Sequence, residues 1–108
     1  MGYLGEFEQL ILFSVLLLEE EAYGVAIRET IEERTGRVVS SGAIYTALGR
    51  MEERGLVTSR VGEAEGPGRP RKYYVLDKAG ARALLETYST IRTMAGGLIP
   101  RLARLVEE

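Results

Sequence analysis

The N-terminal part of the chain is dominated by one hydrophobic segment. From about Gly5 to Leu18, apolar or small side chains recur every three or four positions, the period of one helix face; they are Phe7, Leu10, Ile11, Ser14, Val15 and Leu18. Leucine and phenylalanine fill most positions between them, so the predicted helix is apolar nearly all round. A helix of this kind in a small protein needs a second burying surface, and a subunit interface is the simplest one.

Two shorter amphipathic helices are predicted next. The second helix extends from about Tyr23 to Arg34, with Ile27 and Ile31 on its inner face and Gly36 as a stop signal. The third helix has Ser40 or Ser41 at its N-cap, where the hydroxyl accepts a backbone N–H. The buried stripe of the third helix is Ile44, Leu48 and Met51, and the helix ends at Gly55.

A β-hairpin follows the third helix. Residues 56–61 alternate as a strand, and residues 72–76 form its return partner. The connecting residues 62–70 contain three glycines and two prolines, which excludes regular structure there. Asp77 is then placed to cap a final helix. Three helices and a hairpin predict a winged helix-turn-helix over residues 1–77, in a mainly α fold with a β-hairpin wing.

The remaining residues, 78–108, carry a heptad pattern. Apolar side chains alternate three- and four-residue steps, which predicts a helix that packs on another helix; they are Ala81, Leu84, Tyr88, Ile91, Ala95, Leu98, Leu102 and Leu105. We assign the members from Leu84 onward to a dimer interface; the alternative is that the stripe folds back on its own domain. Gly96, Gly97 and Pro100 predict a break near residues 96–99 and a short last helix, because Pro100 lacks an N–H and its ring crowds the preceding turn. A bent or swapped dimerisation arm is therefore favoured over a straight coiled coil.

Composition excludes several classes of function. The 108 residues contain no cysteine and no histidine, so no thiolate zinc site, no disulfide framework and no histidine base is available. No nucleophile–base or phosphate-cradling motif is present, and we expect neither an enzyme nor a bound cofactor or metal. The hydrophobic run from Leu10 to Leu18 is shorter than the roughly 20 residues that span a bilayer, and Glu6 and Glu8 do not suit a signal peptide. We expect a cytoplasmic protein with no membrane partner.

The charge distribution favours nucleic acid although the net charge is −2. Residues 1–34 carry a net charge of −6, residues 35–78 carry +3, and residues 79–108 carry +1. The positive excess thus lies in the third helix and the hairpin. A local basic patch matters more than the overall sign, because interactions with phosphate are screened beyond about 10 Å at ordinary salt.

The predicted DNA contacts lie at the start of the third helix and on the wing. In a helix-turn-helix, the N-terminal residues of the second helix of the motif enter the major groove, and arginines on a wing suit phosphates or an A·T-rich minor groove. Tyr23, at the start of the second helix, has a hydroxyl within reach of a phosphate, although burial fits it equally well. Packing against the wing is the alternative for Tyr45. The full set is Tyr23, Ser40, Ser41, Gly42, Tyr45, Thr46, Arg50, Arg69, Arg71 and Lys72.

Four motifs in this chain resemble the PadR family of transcriptional regulators. They are L-G-x-F-E-x-L from Leu4, Y-G-x-x-I from Tyr23, G-A-I-Y-x-x-L-x-R-M-E-x-x-G-L from Gly42 and G-R-P-R-K-Y-Y-x-L from Gly68, followed by Ala79-Gly80. The resemblance covers residues 4 to about 85. The single short C-terminal segment is similar to that of the compact members of the family. The resemblance implies a homodimeric winged-helix repressor that a small ligand releases from double-stranded DNA. It also places DNA contacts at positions matching Ser41, Tyr45, Thr46, Arg50, Arg69 and Arg71.

The ligand of such a repressor is a separate hypothesis. We expect a small apolar or aromatic effector between the first helices and the C-terminal arms of a dimer, near Phe7, Leu10, Phe13, Tyr88 and Ile91. Some compact family members sandwich flat drugs between tryptophans, and this chain departs from them because it has no tryptophan. The alternative function is a winged-helix module that binds protein or dimerises without specific DNA binding.

Overall fold

The computed structural model describes residues 3–62 and 70–108 and contains five α-helices and one hairpin in those ranges. The helices are α1 (Glu6–Leu18), α2 (Gly24–Thr35), α3 (Ser41–Glu53), α4 (Lys78–Ala95) and α5 (Ile99–Glu107), and a 3-10 turn (Glu19–Glu21) joins α1 to α2. The strands are β1 (Val57–Val61) and β2 (Lys72–Leu76). The predicted winged helix is confirmed, with element bounds within about two residues of those expected from the sequence.

The helix ends follow the predicted capping chemistry. Gly36 ends α2 in the left-handed conformation, with φ of 77°, which a residue without Cβ adopts at little cost. The Ser40 hydroxyl accepts the Ala43 N–H at 3.1 Å and caps α3. The Asp77 carboxylate accepts the Ala79 N–H at 3.0 Å and caps α4. These three residues fix where α2 stops and where α3 and α4 begin.

One hydrophobic core joins the three N-terminal helices, the hairpin and the start of α4. Its fully or nearly fully buried members include Ile11, Leu12 and Val15 of α1, Ile27 and Ile31 of α2, Ile44, Leu48 and Met51 of α3, Val57, Tyr74 and Leu84. The buried Thr87 hydroxyl accepts the Leu4 N–H at 3.1 Å, which ties α4 to the residues before α1. The predicted inner stripes of α2 and α3 are confirmed in full.

The sheet has two strands and a short third segment. β1 and β2 pair antiparallel, with Ser59 opposite Tyr74 and Arg60 opposite Tyr73. On the other edge of β2, Tyr23 bridges to Tyr73, and the Tyr74 N–H donates to the Ala22 carbonyl at 2.8 Å. The residues that lead into α2 therefore fix the hairpin to the helical core.

The C-terminal arm bends as predicted and leaves the domain. α4 ends at Ala95, Gly97 has φ of 78°, and α5 begins at Ile99 with proline in its first turn. Every residue of α5 is exposed, including Ile99, Leu102 and Leu105. Leu84 differs from the rest of the predicted interface stripe because it is buried in the core of its own chain. The stripe is thus divided: Leu84 packs on the domain, whereas Ala81 and the later members are exposed or half-buried.

Among the described residues, no helix is both long enough and apolar enough to cross a membrane.

Candidate nucleic-acid interface

The outer face of α3 is polar and uncovered. The buried face of α3 carries Ile44, Leu48 and Met51, which are fully enclosed in the core. The opposite face is therefore solvent-exposed, and it carries Ser41, Gly42, Thr46 and Arg50. The Ser40 hydroxyl accepts the Ala43 N–H in capping α3, and the N–H groups of Ser41 and Gly42 have no acceptor within the helix. The exposed N-terminal half of α3 is therefore free to approach a polyanion.

Tyr45 lies between α3 and the start of α2. A Cβ added to Gly24 would lie 2.5 Å from ring atoms of Tyr45, so the ring rests directly on the glycine backbone. The side chain is nevertheless 48% exposed. The packing partner of Tyr45 is therefore α2 and not the wing that the sequence alternative named, and about half of the residue remains exposed on the outer face of α3.

The C-terminal end of α3 is tied to the hairpin through Glu52. The Glu52 carboxylate accepts a hydrogen bond from the Ser59 hydroxyl of β1 and pairs with the Lys72 ammonium of β2 at 3.3 Å. The Ser59 hydrogen bond, and then Lys72, hold the pKa of Glu52 below its ordinary value. Burial raises the pKa of the neighbouring Tyr74 phenol. Lys72, predicted as a DNA contact, thus braces the wing against α3 in this structure.

Two arginines and two tyrosines form a connected series on one face of the hairpin, opposite the face on which Ser59 and Lys72 contact Glu52. The Arg71 guanidinium carbon lies 4.3 Å from the centre of the Tyr23 ring, and the Arg60 guanidinium carbon lies 4.6 Å from that of Tyr73. The two rings meet edge to face, with 5.6 Å between their centres. We call Arg71, Tyr23, Tyr73 and Arg60 the arginine–tyrosine ladder. The Arg60 guanidinium also donates to the Glu20 carbonyl at 3.4 Å.

The structure connects three of the predicted DNA contacts, which are Tyr23, Arg71 and Tyr45. Tyr23 and Arg71 touch each other, and Tyr45 packs on the residue that follows Tyr23. Arg69 lies outside the described residues. The sequence prediction omitted Tyr73, Gly24 and Gly62, which position the three connected residues. The two-residue period of the return strand was the available signal, since it places Tyr73 on the same face as Arg71.

The predicted effector residues do not line one cavity within this chain. Phe13 and Tyr88 are in contact, with ring centres 5.9 Å apart, and line a cavity of about 280 Å³ between α1, α4 and the end of β2. Ile91 lines a different cavity, of about 450 Å³, in the angle between α4 and α5. Phe7 and Leu10 are half-buried against the core. Leu10 lines a smaller cavity, of about 100 Å³, together with Phe13. Among the predicted effector residues, Phe13 thus shares one cavity with Tyr88 and another with Leu10.

The described residues contain no group of three or more histidine, cysteine, aspartate or glutamate side chains placed to hold a metal ion.

A winged helix with an outward-facing α3 defines a class of DNA-binding regulators, and comparison with known proteins identifies the family. The family model of the transcriptional regulator PadR-like family matches residues 12–86. This chain belongs to the PadR-like family of transcriptional regulators. No curated protein matches the sequence at a significant level.

Several solved structures share the fold of this chain. A PadR family transcription regulator from Clostridium difficile is 27% identical, with a TM-score of 0.72, over 89% of this chain and 98% of that one. A PadR-like transcription factor from Bacteroides fragilis is 30% identical, with a TM-score of 0.68, over 82% of each chain. A PadR-like transcriptional regulator from Bacillus cereus is 28% identical, with a TM-score of 0.70, over 90% of each chain. All three of these structures are transcription regulators or transcription factors.

Proposed function

We propose that this protein is a homodimeric repressor that binds double-stranded DNA through α3 and the wing and responds to a small effector. The single observation that carries the DNA-binding role is the exposed N-terminal half of α3. Its polar and small side chains face outward while the opposite stripe is fully buried. The contact residues remain those expected from the sequence: Tyr23, Ser40, Ser41, Gly42, Tyr45, Thr46, Arg50, Arg69, Arg71 and Lys72.

The homodimer is supported by apolar surface that its own chain does not cover. α1 exposes Phe13, Leu16 and Leu17, and the arm exposes Tyr88, Ile91, Leu98, Leu102 and Leu105. The later members of the heptad stripe belong to this surface, and Ala95 lies half-buried beside them. Clustered apolar side chains of this extent are typical of interfaces. We propose a division at residues 77 and 78 into a DNA-binding domain and a dimerisation arm, with Leu84 anchoring the arm to the domain.

The effector role is supported by the contact between Phe13 and Tyr88. These rings line an almost wholly apolar cavity next to the exposed face of α1. An apolar or aromatic ligand held there between two subunits would change the angle between the arms. That angle sets the spacing of the two copies of α3, which need about 34 Å to reach successive major grooves. We infer that the protein acts in the cytoplasm and binds DNA upstream of the genes that it regulates, which can include its own.

The experiment that tests this function is fluorescence anisotropy with the full chain. The labelled duplex is the DNA upstream of its own gene, the control is an unrelated duplex of equal length, and each is titrated at two salt concentrations. Preferential binding to the upstream DNA, saturating at two chains per site and weakening steeply with salt, is the expected result. Equal weak binding to both duplexes contradicts autoregulation. Absence of binding to any duplex at low salt favours the protein-binding module instead.

A further inference from the structure

The arginine–tyrosine ladder is held by the backbone beneath it. Tyr23 and Tyr73 form an isolated antiparallel bridge, so their side chains leave neighbouring segments side by side. Beyond the strand end, the Gly62 N–H donates to the Arg71 carbonyl at 2.7 Å. A Cβ at Gly62 would lie 2.5 Å from the Tyr73 ring, so this ring packs directly over the glycine. Contacts within the chain therefore hold both tyrosine rings in position.

The two arginines use these rings in a particular way. A guanidinium that lies over an aromatic ring makes the contact through its face, and its N–H donors lie in its own plane. The contact with the ring is thus compatible with hydrogen bonds to an anion at the edge of the group. Ordering a flexible side chain during binding also costs affinity, and that cost falls when the side chain is ordered beforehand.

The ladder is connected to α3 through Gly24. Tyr23 precedes Gly24, on which the Tyr45 ring of α3 rests. Arg71 lies over the Tyr23 ring, so the contacts lead from this wing cation through Tyr23 and Gly24 to the Tyr45 ring of α3. Arg60 occupies the other end of the ladder, where its contact with the Glu20 carbonyl limits its position further.

We propose that Tyr23 and Tyr73 are positioning residues for DNA binding, whose rings hold Arg71 and Arg60 in place to bind backbone phosphates. This inference rests on the proposed function. In this proposal Tyr23 contributes to DNA binding through its ring, which positions Arg71, and not through its hydroxyl. The proposal also brings Arg60, on the outgoing strand, into the DNA-binding surface.

The test compares Tyr23→Leu, which removes ring and hydroxyl, with Tyr23→Phe, which removes the hydroxyl alone. Arg71→Ala and the double variant Tyr23→Leu/Arg71→Ala complete the cycle, and Tyr3→Leu is a matched control because Tyr3 is an exposed tyrosine outside this surface. Dissociation constants are measured by anisotropy on the upstream duplex and on an unrelated duplex at low salt, since phosphate contacts operate on both. Melting temperature is measured for every variant.

Tyr23→Leu is expected to weaken binding to both duplexes about three- to tenfold, the range that corresponds to ordering one long side chain. Tyr23→Phe is expected to recover most of that loss. The double variant is expected to bind no more weakly than Arg71→Ala alone, because the ring acts through the arginine. A general structural defect would instead lower affinity further in the double variant and would not be rescued by phenylalanine.

Three results overturn the inference while the wild-type protein still binds DNA. They are equal losses in Tyr23→Phe and Tyr23→Leu, losses that add in the double variant, and unchanged affinity in Tyr23→Leu. If Tyr23→Leu unfolds, Arg71→Lys decides, since it keeps the charge but loses the planar contact; wild-type affinity in that variant overturns the inference. A wild-type protein that binds neither duplex overturns the proposed function and this inference with it.

Discussion

The direction of the C-terminal arm depends on Gly80, because α4 packs so closely on the hairpin there that no side chain fits. A Cβ there would lie 2.0 Å from the Leu56 carbonyl oxygen and 2.9 Å from a methyl carbon of Leu76. The same carbonyl accepts the Asp77 N–H at 3.0 Å, so the first turn of α4 rests on the backbone at the root of the hairpin. Because the obstacle is backbone, a small side-chain movement does not relieve it. Gly80→Ala therefore requires α4 to move.

The change in the free energy of unfolding of Gly80→Ala is the sum of two opposing effects. Overpacking at a tight site costs about 1–3 kcal/mol and sometimes more, and contact with a backbone carbonyl places Gly80→Ala at the upper end. Alanine in place of glycine within a helix returns at most about 1 kcal/mol. We expect the free energy of unfolding to fall by about 2 kcal/mol. For a chain of this size, that is a decrease in melting temperature of roughly 10 °C.

The assay is thermal unfolding followed by circular dichroism at one protein concentration, with Gly49→Ala as the matched control. Gly49 lies inside α3, and a Cβ there meets nothing within 4 Å. The control is expected to melt at or above the wild-type temperature, since only the helix propensity changes. If Gly80→Ala is as stable as Gly49→Ala, the close packing of α4 on the hairpin root is refuted. In that case the start of the arm has room to move without cost.

Three further predictions concern the interface, the arm and the wing. Gly24→Ala is expected to displace the Tyr45 ring, lower the free energy of unfolding by about 1–2 kcal/mol and weaken DNA binding, as measured by thermal melting and anisotropy. Leu102→Asp is expected to convert the proposed dimer to a folded monomer in light scattering, because Leu102 is exposed on α5 and makes no contribution to the core of its own chain. Ser59→Ala removes the hydrogen bond that lowers the pKa of Glu52. It is therefore expected to reduce the melting temperature near neutral pH, with the difference from wild type disappearing as the pH falls below 4.5.

Each of these predictions has an outcome that contradicts it, and the first two have a control variant as well. For Gly24→Ala, the additional change Tyr45→Ala should remove the collision, and a double variant with purely additive losses contradicts the contact. For the arm, Arg104→Asp on the opposite side of α5 should leave the dimer intact; a Leu102→Asp protein that still dimerises excludes this face as the interface. For Ser59→Ala, a difference in melting temperature that persists unchanged into acid shows that the pKa of Glu52 is not its source.

Local sequence signals predicted the elements and their ends. The stripe Ile44, Leu48 and Met51 had the spacing of one helix face and is fully buried. Ser40 and Asp77 cap the helices that they precede. The break before α5 followed from Gly97 and Pro100, whose backbone preferences act whatever surrounds them. Such features depend on a residue and its near neighbours in the chain, which is why one sequence sufficed.

The contacts across the fold did not follow from those signals. Lys72 appeared only as a wing cation, whereas in the structure it pairs with Glu52 across the hairpin. Tyr23 and Tyr73 meet because the residues before α2 add to the edge of β2, a pairing between segments 50 residues apart in the numbering. Leu84 belonged to an uninterrupted heptad stripe, yet the domain buries it. Periodicity shows that a face is apolar, but it does not show which surface covers that face.

The sequence alone thus determined the winged-helix elements, the basic segment that they contain and the family motifs, because helix period, capping and turn chemistry are local. Only the tertiary structure decided which predicted residues share a surface. It placed the Tyr23 ring under Arg71 and the Tyr45 ring on Gly24, and it put Ile91 at a different cavity from Phe13 and Tyr88. The physical reason is that these arrangements depend on how elements pack and register against one another, and small changes in register redirect whole side chains.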